Sequence, residues 1–270
     1  MKIYAIQDDT FTKNKILGYI FYFEKDKNWY IELCDNISEW EAPFILDHFI
    51  SKGELYVPFY YSKMWVEQRI VPSDRQNIGS ILKEYNLEEY EEFKLFLISD
   101  GRCSQDNCYI VPVKEGNLPI EIKNRRNNHI QSATVCNETD LMISLKCGDV
   151  LILNLEKCKD DYPFVNHIMK YREKIGAFDT MSDGSEIVYG HGHSLPYSYI
   201  NKMATILPFK SDALISFSEE NIISTSEAME ILGCSRQNID DLVKRGRLTP
   251  AKIKGPSKMF LKSDVRALLK

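Results

Sequence analysis

The chain has 270 residues, of which 44% are hydrophobic, and a formal net charge of −5. This length suits two or three domains. The sequence contains no run of about 18 apolar residues, which a membrane-spanning helix would require. The first ten residues lack the basic start and apolar stretch of a signal peptide, so we expect a cytoplasmic protein. Seven cysteines are dispersed without metal-ligand spacing, which predicts free thiols and no structural zinc.

Residues 1–115 are predicted to form an α+β domain. Runs of β-branched and aromatic residues predict strands, and apolar residues spaced by three and four predict helices. The first helix is expected to begin behind Ser38, with Glu41 three residues later completing a capping box. The predicted elements are strands at 16–23 and 28–33, helices at 38–53, from about 74 and at about 87–98, and a strand at 108–113.

A polar segment follows this domain. Gly116, Asn117 and Pro119 precede a run of charged and amide side chains from Lys123 to Asn128. Such a composition is typical of a connection, so residues 114–128 are predicted to be a linker or surface loop.

Residues 128–205 are predicted to form a second domain, a β-meander followed by a helix. Strands are expected at 130–136, 141–145 and 150–155, a helix at 163–174, a hairpin around Asp183-Gly184, and a last helix from Pro196. The Gly-Asp turn, the strand Glu186–Tyr189 and the tyrosines at Tyr197 and Tyr199 give this segment its pattern. It resembles a bacterial family of domains of unknown function, numbered twenty-four forty-two. The resemblance implies an antitoxin or regulatory role and no known catalytic residues.

The charge is divided unevenly along the chain. Residues 221–270 contain ten Lys and Arg against five Asp and Glu, a net charge of +5 that leaves −10 for residues 1–220. An acidic body with a basic end indicates a nucleic-acid contact confined to that end.

Residues 220–270 are predicted to form a winged helix-turn-helix. Ser224 and Glu227 make a capping box, Gly233 ends the first helix, Ser235 caps the second and Gly246 ends it. Two short helices joined by a tight turn form a helix-turn-helix. Strands at 248–254 and 258–261 around Gly255-Pro256 would form the wing, before a last helix capped by Ser263-Asp264.

This stretch resembles the excisionase-type members of the MerR superfamily. The resemblance rests on Ser226-Glu227-Ala228, Ile231-Leu232-Gly233-Cys234-Ser235, Asp241-Leu242-Val243, Gly246-Arg247-Leu248 and Phe260-Leu261-Lys262-Ser263-Asp264-Val265. MerR regulators proper carry the module first and a dimerising coiled coil after it. Here the module comes last and no long heptad follows, so the resemblance does not extend to that route of dimerisation.

The second helix of such a module lies in the major groove, with its first residues at base edges. Arg pairs with guanine, and Gln or Asn pairs with adenine, which makes the start of this helix the candidate reading surface. Basic residues at its far end and around the wing tip would hold phosphates. The predicted DNA-binding residues are Ser235, Arg236, Gln237, Asn238, Lys244, Arg245, Arg247, Lys252, Lys254 and Lys258. A capping role for Asn238 and solvated surface positions for single lysines stay open.

Three other patterns are weaker. Asp106 with Glu121-Ile122-Lys123 on a short strand would resemble a metal-dependent nuclease site. His191 and His193 could hold a metal, although no third ligand is fixed by spacing. Asp74-Arg75-Gln76-Asn77-Ile78 echoes the start of the second C-terminal helix, but its surroundings are acidic. We therefore expect no enzymatic activity, no metal and no cofactor.

The sequence as a whole predicts a multidomain α+β protein that regulates transcription by binding specific double-stranded DNA. An antitoxin-like or immunity protein that represses its own operon, or an excisionase-like accessory factor, are alternatives with the same DNA contact. One small module makes few base contacts, so we also expect a homodimer formed through residues 1–205, with a protein partner possible there.

Overall fold

The computed structural model describes residues 1–10, 15–161, 165–166, 169, 177–181, 183–189 and 193–269. The chain divides into two compact units, one of residues 1–147 and 153–204 and the other of residues 148–152 and 205–270. Strands and helices occur in both, so the fold is mixed α+β, as the sequence predicts. Every helix in the described part of the chain is too short or too polar to span a membrane.

A five-stranded antiparallel sheet opens the first unit. Its strands are β1 (Lys2–Asp8), β2 (Lys15–Phe23), β3 (Asn28–Leu33), β4 (Tyr56–Val57) and β5 (Cys108–Val113). They pair in the order β4-β3-β2-β1-β5. The predicted hairpin of β2 and β3 is confirmed, and its register places Tyr22 opposite Trp29.

Both faces of this sheet are covered. The helices that follow in the sequence are α1 (Leu46–Ser51), α2 (Phe59–Glu67), α3 (Ile78–Glu84), α4 (Glu92–Ile98) and α5 (Ile120–Asn127). On one face Trp29 packs with Trp65 of α2 and Phe96 of α4, all buried. On the other face Phe21 is buried in a separate cluster with Ile122 of α5.

The first predicted helix is shorter than its apolar pattern indicates. Ser38 and Glu41 do form a capping box, but it opens only a 3-10 turn at Glu39–Glu41, and α1 begins at Leu46. The reason is Pro43, which biases the preceding Ala42 towards the extended backbone that it adopts. The helix expected at 87–98 likewise begins only at Glu92.

The predicted linker at 114–128 is wrong. Its second half is the helix α5, which begins after Pro119 and buries Ile122 completely. Two arginines at the end of this helix reach back to the first sheet, where Arg125 and Arg126 form ion pairs with Glu32 of β3. Residues 120–127 are therefore an integral layer of the first unit.

A second group of strands completes the first unit: β6 (Ile130–Val135), β7 (Asp140–Leu145), β9 (Ala177–Thr180), β10 (Glu186–Tyr189) and β11 (His193–Pro196). Their order is β11-β10-β9-β6-β7. The predicted hairpin of β9 and β10 is confirmed, as is the last helix, α6 (Tyr197–Met203). The helix expected at 163–174 falls largely outside the described residues.

The second unit starts with the first residues of β8 (Asp149–Asn154), which pair with β12 (Thr205–Lys210). The remaining elements are α7 (Ser211–Asn221), β13 (Ile222–Ser224), α8 (Thr225–Leu232), α9 (Arg236–Lys244), β14 (Lys252–Lys254), β15 (Ser257–Leu261) and α10 (Lys262–Ala267). The three strands after α7 form a small sheet in the order β13-β15-β14. We call the antiparallel pair β14–β15 the C-terminal hairpin.

Candidate nucleic-acid interface

Reciprocal hydrogen bonds start the first helix of the C-terminal module. The Ser224 hydroxyl accepts from the Glu227 amide at 3.3 Å, and the Glu227 carboxylate accepts from the Ser224 amide at 2.7 Å. The hydrogen bond from the Ser224 amide lowers the pKa of the Glu227 carboxyl. The predicted capping box is confirmed, and it fixes where α8 leaves β13.

The turn between α8 and α9 also follows the sequence prediction. Gly233 adopts a left-handed backbone with φ 61°, which ends α8 at Leu232. The Ser235 hydroxyl then accepts a hydrogen bond from the Asn238 amide at 3.4 Å and caps α9. The predicted cap at Ser263 is wrong, because α10 begins at Lys262 and Leu261, two residues before Ser263, occupies the cap position.

A small core fixes the two helices against the sheet. Ala228 of α8, Ile239 of α9 and Phe260 of β15 are all buried in it. Burial of Ile239 turns one side of α9 inwards and leaves its opposite side in solvent. The exposed side of α9 is therefore held in a defined orientation by the core of the module.

The exposed residues at the start of α9 do not all face the same way. Arg236, Gln237 and Asn238 are exposed. The helical period places Gln237 on the same face as Lys244, opposite the buried Ile239. Asn238 instead lines a shallow depression of about 350 Å³, which it shares with Arg245 and Arg247. The predicted reading residues therefore divide between two sides of α9.

Two of the predicted DNA ligands connect α9 to the C-terminal hairpin. Arg236 donates from Nη2 to the carbonyl of Pro256 at the hairpin turn, at 2.9 Å. Lys258 forms an ion pair with Asp240, and the hydrogen bond from this lysine lowers the pKa of the Asp240 carboxyl. Sequence reasoning missed Asp240 and Pro256, because no periodicity relates them to Arg236 and Lys258.

The remaining predicted ligands are exposed basic side chains. Lys244, Arg245 and Arg247 lie at the end of α9 and just beyond it, and Lys252 and Lys254 lie on β14. The module thus presents cations at both the far end of α9 and the C-terminal hairpin. Its surface offers hydrogen-bond donors and positive charge, the complement of a phosphate backbone.

Within the residues that the structure describes, the nuclease-type pattern of the sequence does not come together. Glu121 and Lys123 lie on α5 and not on the strand that a nuclease pattern requires, and Asp106 is paired with the buried Arg69. Among the described residues, no group of three His, Cys, Asp or Glu side chains is placed to hold a metal ion. His191 lies outside the described residues.

The geometry defines the C-terminal segment as a helix-turn-helix: two short helices, a glycine turn between them and a shared core. Residues 222–270 match a protein family described as a helix-turn-helix domain. Domains of this class bind DNA by placing the second helix in the major groove. Neither curated proteins nor solved structures yielded a match to this chain.

Proposed function

We propose that this protein is a transcriptional regulator that recognises specific double-stranded DNA through residues 222–270. One observation carries the proposal: the helix-turn-helix concentrates exposed cations on α9 and the C-terminal hairpin, in a chain that is otherwise acidic. Residues 221–270 have a net charge of +5 and residues 1–220 a net charge of −10. Phosphate attraction is therefore restricted to the module that also has the shape to enter a groove.

In this proposal α9 lies in the major groove. Gln237 is exposed and can make two hydrogen bonds to an adenine edge, whereas the Ser235 hydroxyl is already used to cap α9. Lys244 lies on the same face about two helical turns further along α9, and it would contact a phosphate. Arg236 and Asn238 flank Gln237 and would contact neighbouring positions.

The C-terminal hairpin serves as the wing. Arg236 and the Asp240–Lys258 ion pair connect it to α9, so the hairpin and the helix approach DNA as one piece. Lys252 and Lys254 are exposed on β14 and would contact the adjacent backbone. These contacts raise affinity for every sequence, whereas Gln237 provides discrimination.

The test is the salt dependence of duplex binding by the full-length protein, followed by fluorescence anisotropy. Replacing both Lys252 and Lys254 by Ala should reduce the slope of log affinity against log salt by about two, since each phosphate contact contributes about 0.9. The matched control replaces Lys52 and Lys83, two exposed lysines of the first unit, and should leave the slope unchanged. Equal effects of both pairs, or no duplex binding at low salt, would contradict the proposal.

We further propose that the protein acts as a homodimer joined through residues 1–205. A single small module covers only about 600–1,000 Å² of its own surface on DNA, and two-fold symmetry supplies a second half-site. The first unit has a group of exposed aromatic side chains that we call the aromatic patch: Trp40, Phe44, Tyr60 and Tyr61, with exposures of 90%, 79%, 66% and 40%. Solvent-exposed aromatic residues in such a cluster are typical of a protein–protein contact.

The members of the aromatic patch belong to neighbouring segments. The 3-10 turn that carries Trp40 packs against α1, and Phe49 of α1 contacts Tyr61 at a ring distance of 5.2 Å. Tyr61 in turn contacts Tyr60 at 5.4 Å. The patch is therefore supported by the buried core beneath α1 and α2, which suits a rigid interface.

A further inference from the structure

A cavity of about 420 Å³ lies in the first unit, beside strand β3 and helix α6. Its volume falls within the range of small-molecule sites. The side chains that matter for its chemistry are Glu32, Tyr56, His129, Ser185 and Tyr197, which all line it. None of them belongs to the helix-turn-helix module, so the cavity is separate from the proposed DNA surface.

Glu32 is a buried carboxylate on the wall of this cavity. Its side chain is 1% exposed, and it lies 3.2 Å from Arg126 Nη1 and 3.5 Å from Arg125 Nε. Burial raises the pKa of Glu32, while the two arginines act in the opposite direction. The pair of guanidinium groups explains how a carboxylate can be held at this depth.

His129 contributes a second hydrogen-bond acceptor to the cavity, its ring nitrogen Nε2. Its Nδ1 lies 3.0 Å from the carbonyl oxygen of Asp183, which can only accept, so Nδ1 carries the proton. Burial lowers the pKa of His129 to about 4, and the ring is neutral at pH 7. Nε2 is therefore an acceptor, and it faces Glu32 Oε1 at 3.9 Å. Two acceptors at this separation suit a donor group that approaches both of them from the cavity side.

The neighbouring hydroxyls do not supply that donor. Tyr56 donates its hydroxyl hydrogen to Ser185 Oγ, and Ser185 donates in turn to Asp183 Oδ1 at 2.7 Å. Gly184, between Asp183 and Ser185, adopts φ 81°, and a Cβ there would lie 2.2 Å from the Ile130 carbonyl oxygen. The backbone that positions this chain of hydrogen bonds is thus fixed.

Aromatic rings and further carboxylates surround the acceptor pair. The rings of Tyr56 and Tyr197 lie 5.8 Å and 6.3 Å from the ring of His129. Glu54 and Glu186 also line the cavity. Flat rings favour a planar guest, and the carboxylates favour one that carries N–H donors or positive charge.

We propose that this cavity binds a small planar molecule bearing amidine, guanidine or amino N–H donors. One amino group would approach both atoms from the cavity side and donate to His129 Nε2 and to Glu32 Oε1, which also accepts from Arg126 Nη1. The planar body would lie against the tyrosine rings. A carboxylate or phosphate at this position would place an acceptor against two acceptors and should bind there more weakly.

Isothermal titration of the full-length protein tests this site directly, with benzamidine as the probe and benzoate as its acceptor-only counterpart. Benzamidine should bind at least about tenfold more tightly than benzoate, because hydrogen bonds to a charged group are the stronger ones. Glu32→Gln should weaken benzamidine by about tenfold, with circular dichroism to confirm that the variant folds. Equal binding of the two probes, or no saturable binding of benzamidine, would overturn the proposal.

A matched pair of substitutions on α6 locates the site without touching the buried acceptors. Ser198 lines the cavity and is exposed, whereas Lys202, on the same helix, is exposed and does not line it. Ser198→Trp should block benzamidine, and Lys202→Trp should leave its affinity within about twofold. Unchanged binding to Ser198→Trp would contradict the location. The titration contains no DNA, so its outcome is independent of the proposed regulatory function.

Discussion

Arg236 and Gln237 are neighbours at the start of α9, but their surroundings differ. Arg236 already holds the hairpin turn through the Pro256 carbonyl, so a base contact by Arg236 would exchange one hydrogen bond for another. Gln237 is exposed on the face opposite the core. Discrimination by α9 should therefore depend more on Gln237, while Arg236 contributes to the stiffness of the module.

The Ser224 hydroxyl at the start of α8 should stabilise the C-terminal module by capping this helix. Ser224→Ala removes the acceptor for the Glu227 amide and should lower the free energy of unfolding of the module by about 1 kcal/mol. Ser226→Ala, at an exposed position in the same helix, should change it by less than about 0.5 kcal/mol. Urea denaturation measures both, and equal losses would show that the cap is not the cause.

At the scale of elements, local signals predicted the start and turn of the C-terminal module, although those at Ser38 and Ser263 misplaced a helix start, and long-range contacts could not be predicted. The cap at Ser224, the turn at Gly233 and the strands β14 and β15 follow from residues close in sequence, whose side chains act on the nearest backbone. The partners Asp240–Lys258 and Glu32–His129 could not be predicted, because only the tertiary fold brings them together. The candidate surface was therefore predictable as a set of residues, but its division between two sides of α9 was not.

Helix α5 shows why a polar composition misleads. Only Ile122 among its eight residues is buried, so the segment has no apolar stripe that would distinguish it from a loop. Its placement depends on one apolar contact and on Arg125 and Arg126, whose partner Glu32 is far away in sequence. Neither feature leaves a periodic pattern.

Two isoleucines on this helix provide a matched test. Ile122→Ala should lower the free energy of unfolding by about 2–5 kcal/mol, because it opens a cavity in a packed layer. Ile120→Ala, at a position that is 67% exposed, should change it by no more than about 0.5 kcal/mol. Thermal or urea unfolding of the two variants compares them. Similar small effects would mean that α5 does not pack against the sheet.

For the whole molecule, we propose that the basic C-terminal module binds DNA, and that the first unit provides the dimer contact and a ligand cavity. The dimer proposal predicts a mass of about twice 31.4 kDa by light scattering. Replacing Trp40 and Phe44 by Ser should give monomers, since it removes the most exposed aromatic area. Replacing Tyr85 and Ile98, which are 46% and 36% exposed elsewhere in the first unit, should not. A monomeric unaltered protein that binds one short site tightly would contradict the dimer.

Selection from a randomised duplex pool measures whether α9 reads base sequence. Full-length protein and its Gln237→Ala variant would be taken through the same rounds of selection and sequenced in parallel. We expect an enriched site with two-fold symmetry for the unaltered protein. The variant should lose preference at one position of each half-site, at a cost of about 1–3 kcal/mol on the preferred site. Enrichment of no sequence, or the same sequence at the same strength by both proteins, would contradict it.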